Sequence, residues 1–353
     1  MSKLIRSVNY ILREEPLAAL LRYPEWLVDA AIGATLNPND AIVISGFWRS
    51  GTTWLLQSVA NSLGAKSLFE PLLPHIGSYE QAFQKRYPAS TFSKRVKPDG
   101  VMPYCANILD EFPGLRLHLE NMLVGALPSH FVRMVRESKK RGEETDSRMA
   151  RLNYRIQEAL CRQVVVKLVR GALILPLIVD EFNPSILHVR RDPRAVVASY
   201  KRQAWTDWME DSALHDLLLS PNDGRRDIFQ RWGDEINKID EMGYAARVAG
   251  YWALTEWYVD QHKEESDIAL VSYERLCLEG ADYLNDVFSH MNTGVQIESG
   301  TLSRESHTSN RSSNEKAKDR IWGWKSEMSP TEIRNVEAAV GMVGMSDSLI
   351  DRS

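Results

Sequence analysis

An anion-binding pattern stands near the start of the chain, in "AIVISGFWRSGTTWLLQSVANSLG", residues 41–64. The apolar run 41–45 reads as a buried parallel strand, and a glycine-bounded turn follows it. Leu55, Leu56, Val59, Ala60 and Leu63 then fall on one side of a helix that Gly64 stops. Gly46 and Gly51 have the spacing of a nucleoside-triphosphate loop, but Thr52 stands where that loop places its lysine. The basic residue is Arg49 instead, two places before the second glycine. A turn feeding a helix aims several N–H groups at one point, and the helix dipole adds positive potential there. Ser50, Gly51, Thr52 and Thr53 supply such N–H groups with hydroxyls beside them, and Arg49 adds a planar, charged donor fork. Helix capping alone asks for no such combination.

A second basic site lies in "ILHVRRDPRAVVASY". A strand over 186–189 ends in Arg190 and Arg191, Asp192 is suited to cap the next helix, and Pro193 to its first turn. Arg191 at the strand end and Ser199 two turns along the helix would hold a second phosphate. The same turn reads equally as a structural salt bridge. A kinase or nucleoside-triphosphate hydrolase needs the loop lysine and a strand-terminal aspartate for magnesium. Thr52 and the setting of Asp192, behind two arginines, disfavour both. The first loop suits an anion bound without a cation.

Taken together, these motifs resemble a sulfotransferase that uses 3′-phosphoadenosine 5′-phosphosulfate (PAPS). "FWRSGTTWL" is similar to that family's 5′-phosphosulfate loop and "VRRDPRAVVASY" to its 3′-phosphate motif. Arginine at 49, followed by "EPL" in "SLFEPLLPHI", looks closer to the carbohydrate sulfotransferases than to the phenol and steroid type. The latter usually has lysine at position 49 and a Lys-Thr-His signature near 167, where this chain reads "VVVKLVRG". "VSYERLC" is similar to the family's Tyr-Glu-Asp-Leu segment, with Arg275 in place of aspartate, and adds Tyr273 to the nucleotide site. "SNRSSNEKAKDRIWGWKSEMSPTE" resembles the late loop that closes over the nucleotide, which adds Arg311 and Ser312. Matching segments run from about residue 41 to 340, with 76–160 unaccounted for.

The resemblance implies in-line transfer of a sulfuryl group to an acceptor hydroxyl, or second to that an amine, with 3′,5′-adenosine bisphosphate (PAP) leaving. Positioning and charge stabilisation would supply most of the catalysis. Arg49 and the loop N–H groups would neutralise charge on the bridging and 5′-phosphate oxygens. Thr52 and Thr53 would hold that phosphate, and Trp54 would stack on adenine or else serve as core. Lys167 would reach the departing oxygen, or else lie on the surface. Glu70 is the expected base and His75 the second choice, since a base near the acceptor must titrate near neutrality. A carboxylate paired with a nearby arginine is the plain alternative for Glu70. A PAP-binding regulator without catalysis, and a kinase or hydrolase, are the rival functions.

The elements that must position these groups follow from periodicity. Strand-like runs at 41–45, 164–168, 186–189 and 268–272 alternate with helical patterns after Gly51, after Pro193 and across 245–263. That predicts an α/β fold, a mainly parallel central sheet flanked by helices with a P-loop-like strand-turn-helix, in a single domain spanning 1–353. Ligands in such sheets bind where strand carboxyl ends lead into helices. Residues 1–40 read as an N-terminal helical extension, with charges through the apolar stretch that argue against a signal peptide. Residues 76–160 read as a helical insertion on the acceptor side, and the polar run 303–320 as a loop. Trp205, Trp208 and Leu217 to Leu219 suit an apolar or sugar-stacking acceptor, or ordinary core.

A net charge of −4 argues against general nucleic-acid binding. Cys105, Cys161 and Cys277 read as reduced thiols of a cytoplasmic protein, and neither they nor the eight histidines show metal spacing. No run of 18 apolar residues is present to span a membrane. The partner expected is a carbohydrate or other small-molecule acceptor, with no nucleic acid and no metal. The oligomeric state is open, a homodimer included.

Overall fold

The computed structural model describes residues 36–72, 113–127, 160–203, 212–220, 224–300, 302 and 317–349. Five strands form its sheet: β1 (Ile42–Gly46), β2 (Lys66–Phe69), β3 (Val164–Leu168), β4 (Ser185–Arg190) and β5 (Ile268–Ser272). All pair in parallel, in the order β2-β3-β1-β4-β5. Four of them fall where the apolar runs predicted, within two residues at each end. β2 was not legible, because "KSLF" is short and opens on a lysine. That lysine, Lys66, is buried and donates to the Gly125 carbonyl at 2.9 Å, which gives its ammonium a hydrogen-bond partner inside the fold.

The remaining elements cover both faces. In the first half they are α1 (Thr52–Leu63), α2 (Pro113–Leu123), α3 (Leu175–Phe182), α4 (Pro193–Arg202) and α5 (Leu214–Leu218). The second half adds α6 (Gly224–Phe229), α7 (Gly233–Glu241), α8 (Tyr244–His262), α9 (Tyr273–Glu279) and α10 (Ala281–His290). The chain then runs through α11 (Ala317–Trp322), α12 (Trp324–Glu327) and α13 (Pro330–Met342).

Side chains alternate across a strand, so both faces of this sheet need apolar cover. Ile42, Ile44, Val165, Leu187, Val189 and Val271 pack with α1, α9 and α10. Val43, Val164, Val166, Leu168, Ile186 and Ile268 pack on the other face with α2 and α3. A third cluster joins α4 to α8, α12 and α13 and takes in Phe47 and Trp48 of the first loop. Leu217 and Leu218 of α5 lie in that third cluster, and Leu219 packs against it, so the structure makes them core rather than acceptor surface. Trp205 and Trp208 fall outside the described residues. Of 76–160, only residues 113–127 and 160 are described, and 113–123 form α2.

Neither Cys161 nor Cys277 forms a disulfide. No helix among the described residues is long and apolar enough to cross a membrane.

Candidate active site

The chain leaves β1 leftward toward β2 and leaves β4 rightward toward β5, so the topological switch point, where sheets of this kind bind ligands in a crevice, lies between the carboxyl ends of β1 and β4. The first loop fills this end of the sheet and is fixed by backbone constraints. Gly46 has φ +152, and a Cβ there would lie 2.5 Å from the Val189 carbonyl of β4. Gly51 has φ +89, and a Cβ there would lie 2.5 Å from the Tyr273 ring. Only glycine suits either place, which gives the Gly46–Gly51 spacing its physical cause. Between them, Phe47 and Trp48 anchor the loop in the third core cluster, the two rings meeting edge-on at 5.0 Å.

Gly51 caps α1 without any side-chain hydrogen bond, so Ser and Thr here do not serve as caps. The first N–H groups of a 12-residue helix are left aimed at the crevice. Ser50 is fully buried, and its Oγ has no hydrogen-bond partner among the described residues. Thr52 is buried and Thr53 half-buried at the helix start. Trp54 is 7% exposed in the cluster that joins α1 to the sheet, edge-on to Tyr273 at 6.0 Å, with its indole N–H donating to the Leu302 carbonyl at 3.2 Å.

The two basic motifs meet directly. Arg49, at φ +67, donates from Nε to Ser199 Oγ at 3.0 Å. Arg191 donates from Nη1 to the Arg49 carbonyl at 2.8 Å and from Nη2 to the Arg320 carbonyl at 3.1 Å. Its guanidinium lies 4.3 Å from the centre of the Tyr273 ring, and its buried Nε has no hydrogen-bond partner among the described residues. Burial, and next the charge of Arg191, pushes Arg49 down to about 10, which leaves it protonated at neutral pH. Burial pushes the Tyr273 phenol up to about 12, so it stays neutral there. Tyr273 therefore acts as a floor beneath both Gly51 and Arg191.

Asp192 caps α4 as expected, accepting from Arg194 N at 2.8 Å. Its carboxylate is also gripped by the Arg194 side chain, Nε to Oδ1 at 3.0 Å and Nη2 to Oδ2 at 2.7 Å. Arg194 continues to Glu337 at 2.9 Å and stacks 4.3 Å from the Trp324 ring. The structural reading of the Arg-Asp-Pro-Arg turn thus holds for Asp192 and Arg194, while Arg191 turns to the first loop and the Tyr273 ring.

Glu70 and Lys167 lie at the carboxyl ends of the neighbouring strands β2 and β3. Glu70 adopts φ +51 and is buried; Lys167 Nζ sits 3.0 Å from its Oε1. Val169 N–H donates to both carboxylate oxygens, at 3.2 and 3.3 Å. The expected arginine partner of the plain reading is replaced by lysine, and Lys167 is not a surface residue. Burial pushes the Lys167 ammonium below its ordinary value; Glu70 opposes this, and Arg170 and Arg49 add to it. Lys167 Nζ also lies 4.0 Å from the Phe69 ring centre.

Sequence reasoning gave no role to Arg170, whose guanidinium sits 5.5 Å from the Trp48 ring, or to His118 of α2, whose Nε2 is 3.0 Å from the Pro71 carbonyl. The Arg inside "KLVRG" was the only signal for the first, and none existed for the second. His75, Arg311 and Ser312 fall outside the described residues. Among those described, no group of three His, Cys, Asp or Glu side chains is arranged to hold a metal.

Two of the solved structures similar to this chain are sulfotransferase domains. One is the sulfotransferase domain from the Synechococcus PCC 7002 olefin synthase, at 17% identity and a TM-score of 0.41, covering 86% of this chain and 95% of that one. The other is the sulfotransferase domain from the curacin biosynthetic pathway, at 14% identity and a TM-score of 0.39, covering 85% and 97%. No family model matches the chain. No curated protein matches it either.

Proposed function

We propose that the chain is a sulfotransferase, moving the sulfuryl group of PAPS to a hydroxyl of a small-molecule acceptor. One observation carries this reading: Arg49, Arg191 and Ser199 meet beside an uncapped helix start, between the carboxyl ends of β1 and β4. A donor with phosphate groups at both its 3′ and 5′ positions needs such a doubled cationic site. The buried Ser50 Oγ and Arg191 Nε, both without protein partners among the described residues, suit a ligand rich in acceptor oxygens. Asp192 is committed to Arg194, so the magnesium carboxylate of a triphosphate enzyme is not available at this strand end.

PAPS supplies an activated sulfur, and the chain supplies position and charge. The loop N–H groups and Thr52 and Thr53 hold the 5′-phosphate, with Arg49 across the bridging oxygen. Arg191 and Ser199 hold the 3′-phosphate, with Arg311 and Ser312 from the late loop. Glu70 accepts the acceptor's proton as its oxygen bonds to sulfur, with His75 as the second candidate. The bond from sulfur to the bridging oxygen breaks, and its electron pair stays on the 5′-phosphate, near Lys167. The left-handed backbone at both Arg49 and Glu70 costs about 1–3 kcal/mol each, a cost found most often at functional positions. Trp54 is better read as packing than as a stacking surface. A carbohydrate acceptor is supported by Arg49 and the Glu70-Pro71-Leu72 element alone.

A thermal-shift comparison tests the reading. PAP should raise the melting temperature more than ATP with magnesium, and PAPS with an acceptor panel should release PAP. The reverse order of stabilisation restores the kinase reading. PAP binding without PAP release from any acceptor favours a regulator.

A further inference from the structure

Arg190 and Arg191 are adjacent, equally cationic and at the same strand end, yet the structure sends them to opposite faces. Strand alternation is the reason. Ile186 and His188 face α3 and α8, and Arg190 continues that row; Leu187 and Val189 face α1 and the first loop, and Arg191 continues theirs. On its side, Arg190 Nε lies 2.8 Å from Glu256 Oε2 and its Nη2 lies 3.0 Å from Asp260 Oδ1. Both acids belong to α8. Glu256 is fully buried and its carboxylate also sits 3.1 Å from His188 Nε2, two residues back on the same strand. Lys263 flanks Asp260 at 3.2 Å.

We propose that Glu256, with Asp260, is a positioning residue of the donor site: it ties the end of β4 to α8, so that Arg191 alone is presented to the 3′-phosphate. This rests on the PAPS reading above. A buried carboxylate is costly unless it is fully paired. Glu256 holds two residues of one strand, so strand and helix move together at the point where Arg191 leaves the sheet. Arg191 in turn joins the first loop to α11 through the Arg49 and Arg320 carbonyls. A displaced strand end therefore disturbs 3′-phosphate recognition first.

The test compares PAP with adenosine 5′-monophosphate, which lacks the 3′-phosphate, by calorimetric titration. The wild-type protein should bind PAP more tightly. In Glu256→Gln the ratio of the two affinities should fall about tenfold, the low end of what removing a hydrogen-bond partner behind a metal ligand costs. Affinity for the monophosphate should hold. Arg190→Gln should lower the ratio similarly, and Asp260→Asn, nearer the surface, by less.

An unchanged ratio in Glu256→Gln overturns the proposal. A fall in Arg190→Gln alone also overturns it, since Arg190 would then contact the phosphate itself. Should Glu256→Gln not fold, an unchanged ratio in both other variants overturns it. A wild-type protein with no preference for PAP refutes the donor reading instead, which separates the two failures.

Discussion

The proposed donor side of the site and the proposed acceptor side are built on different plans. At the ends of β1 and β4, the loop is fixed by two glycines that no other residue replaces, by Phe47 and Trp48 in the core, and by Arg191 bonded to two backbone carbonyls. At the ends of β2 and β3, Glu70 depends on Lys167, one N–H and its own left-handed backbone. The contrast matches two tasks. A nucleotide of fixed shape rewards rigid, redundant contacts, whereas proton transfer needs a group whose charge can change.

Glu70→Gln should give the largest effect. Loss of a base lowers turnover about 10²–10⁴-fold, and PAP affinity should be unchanged by titration. Equal loss of binding would make Glu70 part of the scaffold and erase the contrast. Arg49→Ala comes next, at about 10²–10³-fold in turnover for one lost charge-stabilising donor, now with weaker PAP binding as well. Near-normal steady-state rates would remove Arg49 from the chemistry.

Gly51→Ala tests rigidity on the donor side. Its φ of +89 and the Tyr273 ring 2.5 Å from the new Cβ predict a loss of about 2–4 kcal/mol by denaturant unfolding. Gly64→Ala, also at positive φ but with nothing within 4 Å, should cost about 1 kcal/mol. Equal losses would show that Tyr273 yields freely.

Ser199→Ala removes the acceptor for Arg49 Nε and should weaken PAP binding severalfold, for about 0.5–1.5 kcal/mol. The mildest response is to acid. Partners hold Glu256 below its ordinary 4.5: His188 and Arg190 together outweigh burial, which alone would raise it. A depressed carboxylate stabilises the fold fully above its unfolded value and loses that contribution as pH falls through the folded one. The stability difference between wild type and Glu256→Gln, followed by thermal unfolding, should therefore shrink as pH falls below about 4.5. A difference that grows on acidification contradicts the pairing.

Much of the donor side was legible because its causes are local. Gly46, Gly51 and Gly64 announce backbone turns, and Asp192 with Pro193 announces a helix start. The acceptor side was less so. "KSLF" has no strand periodicity, and nothing near Glu70 in the chain points to Lys167. At Trp54 the type and place match a stacking role, and its burial shows core packing beside it.

Residue order by itself determined the strand-turn-helix units and their anion-facing starts, since φ angles, caps and apolar periods are set within a few positions. Only the folded chain decided which units stand side by side. Arg49 meets Ser199 across 150 positions, and Arg190 meets Glu256 across 66. Those meetings follow from the β2-β3-β1-β4-β5 order and its parallel register, which long crossovers create and no local spacing encodes.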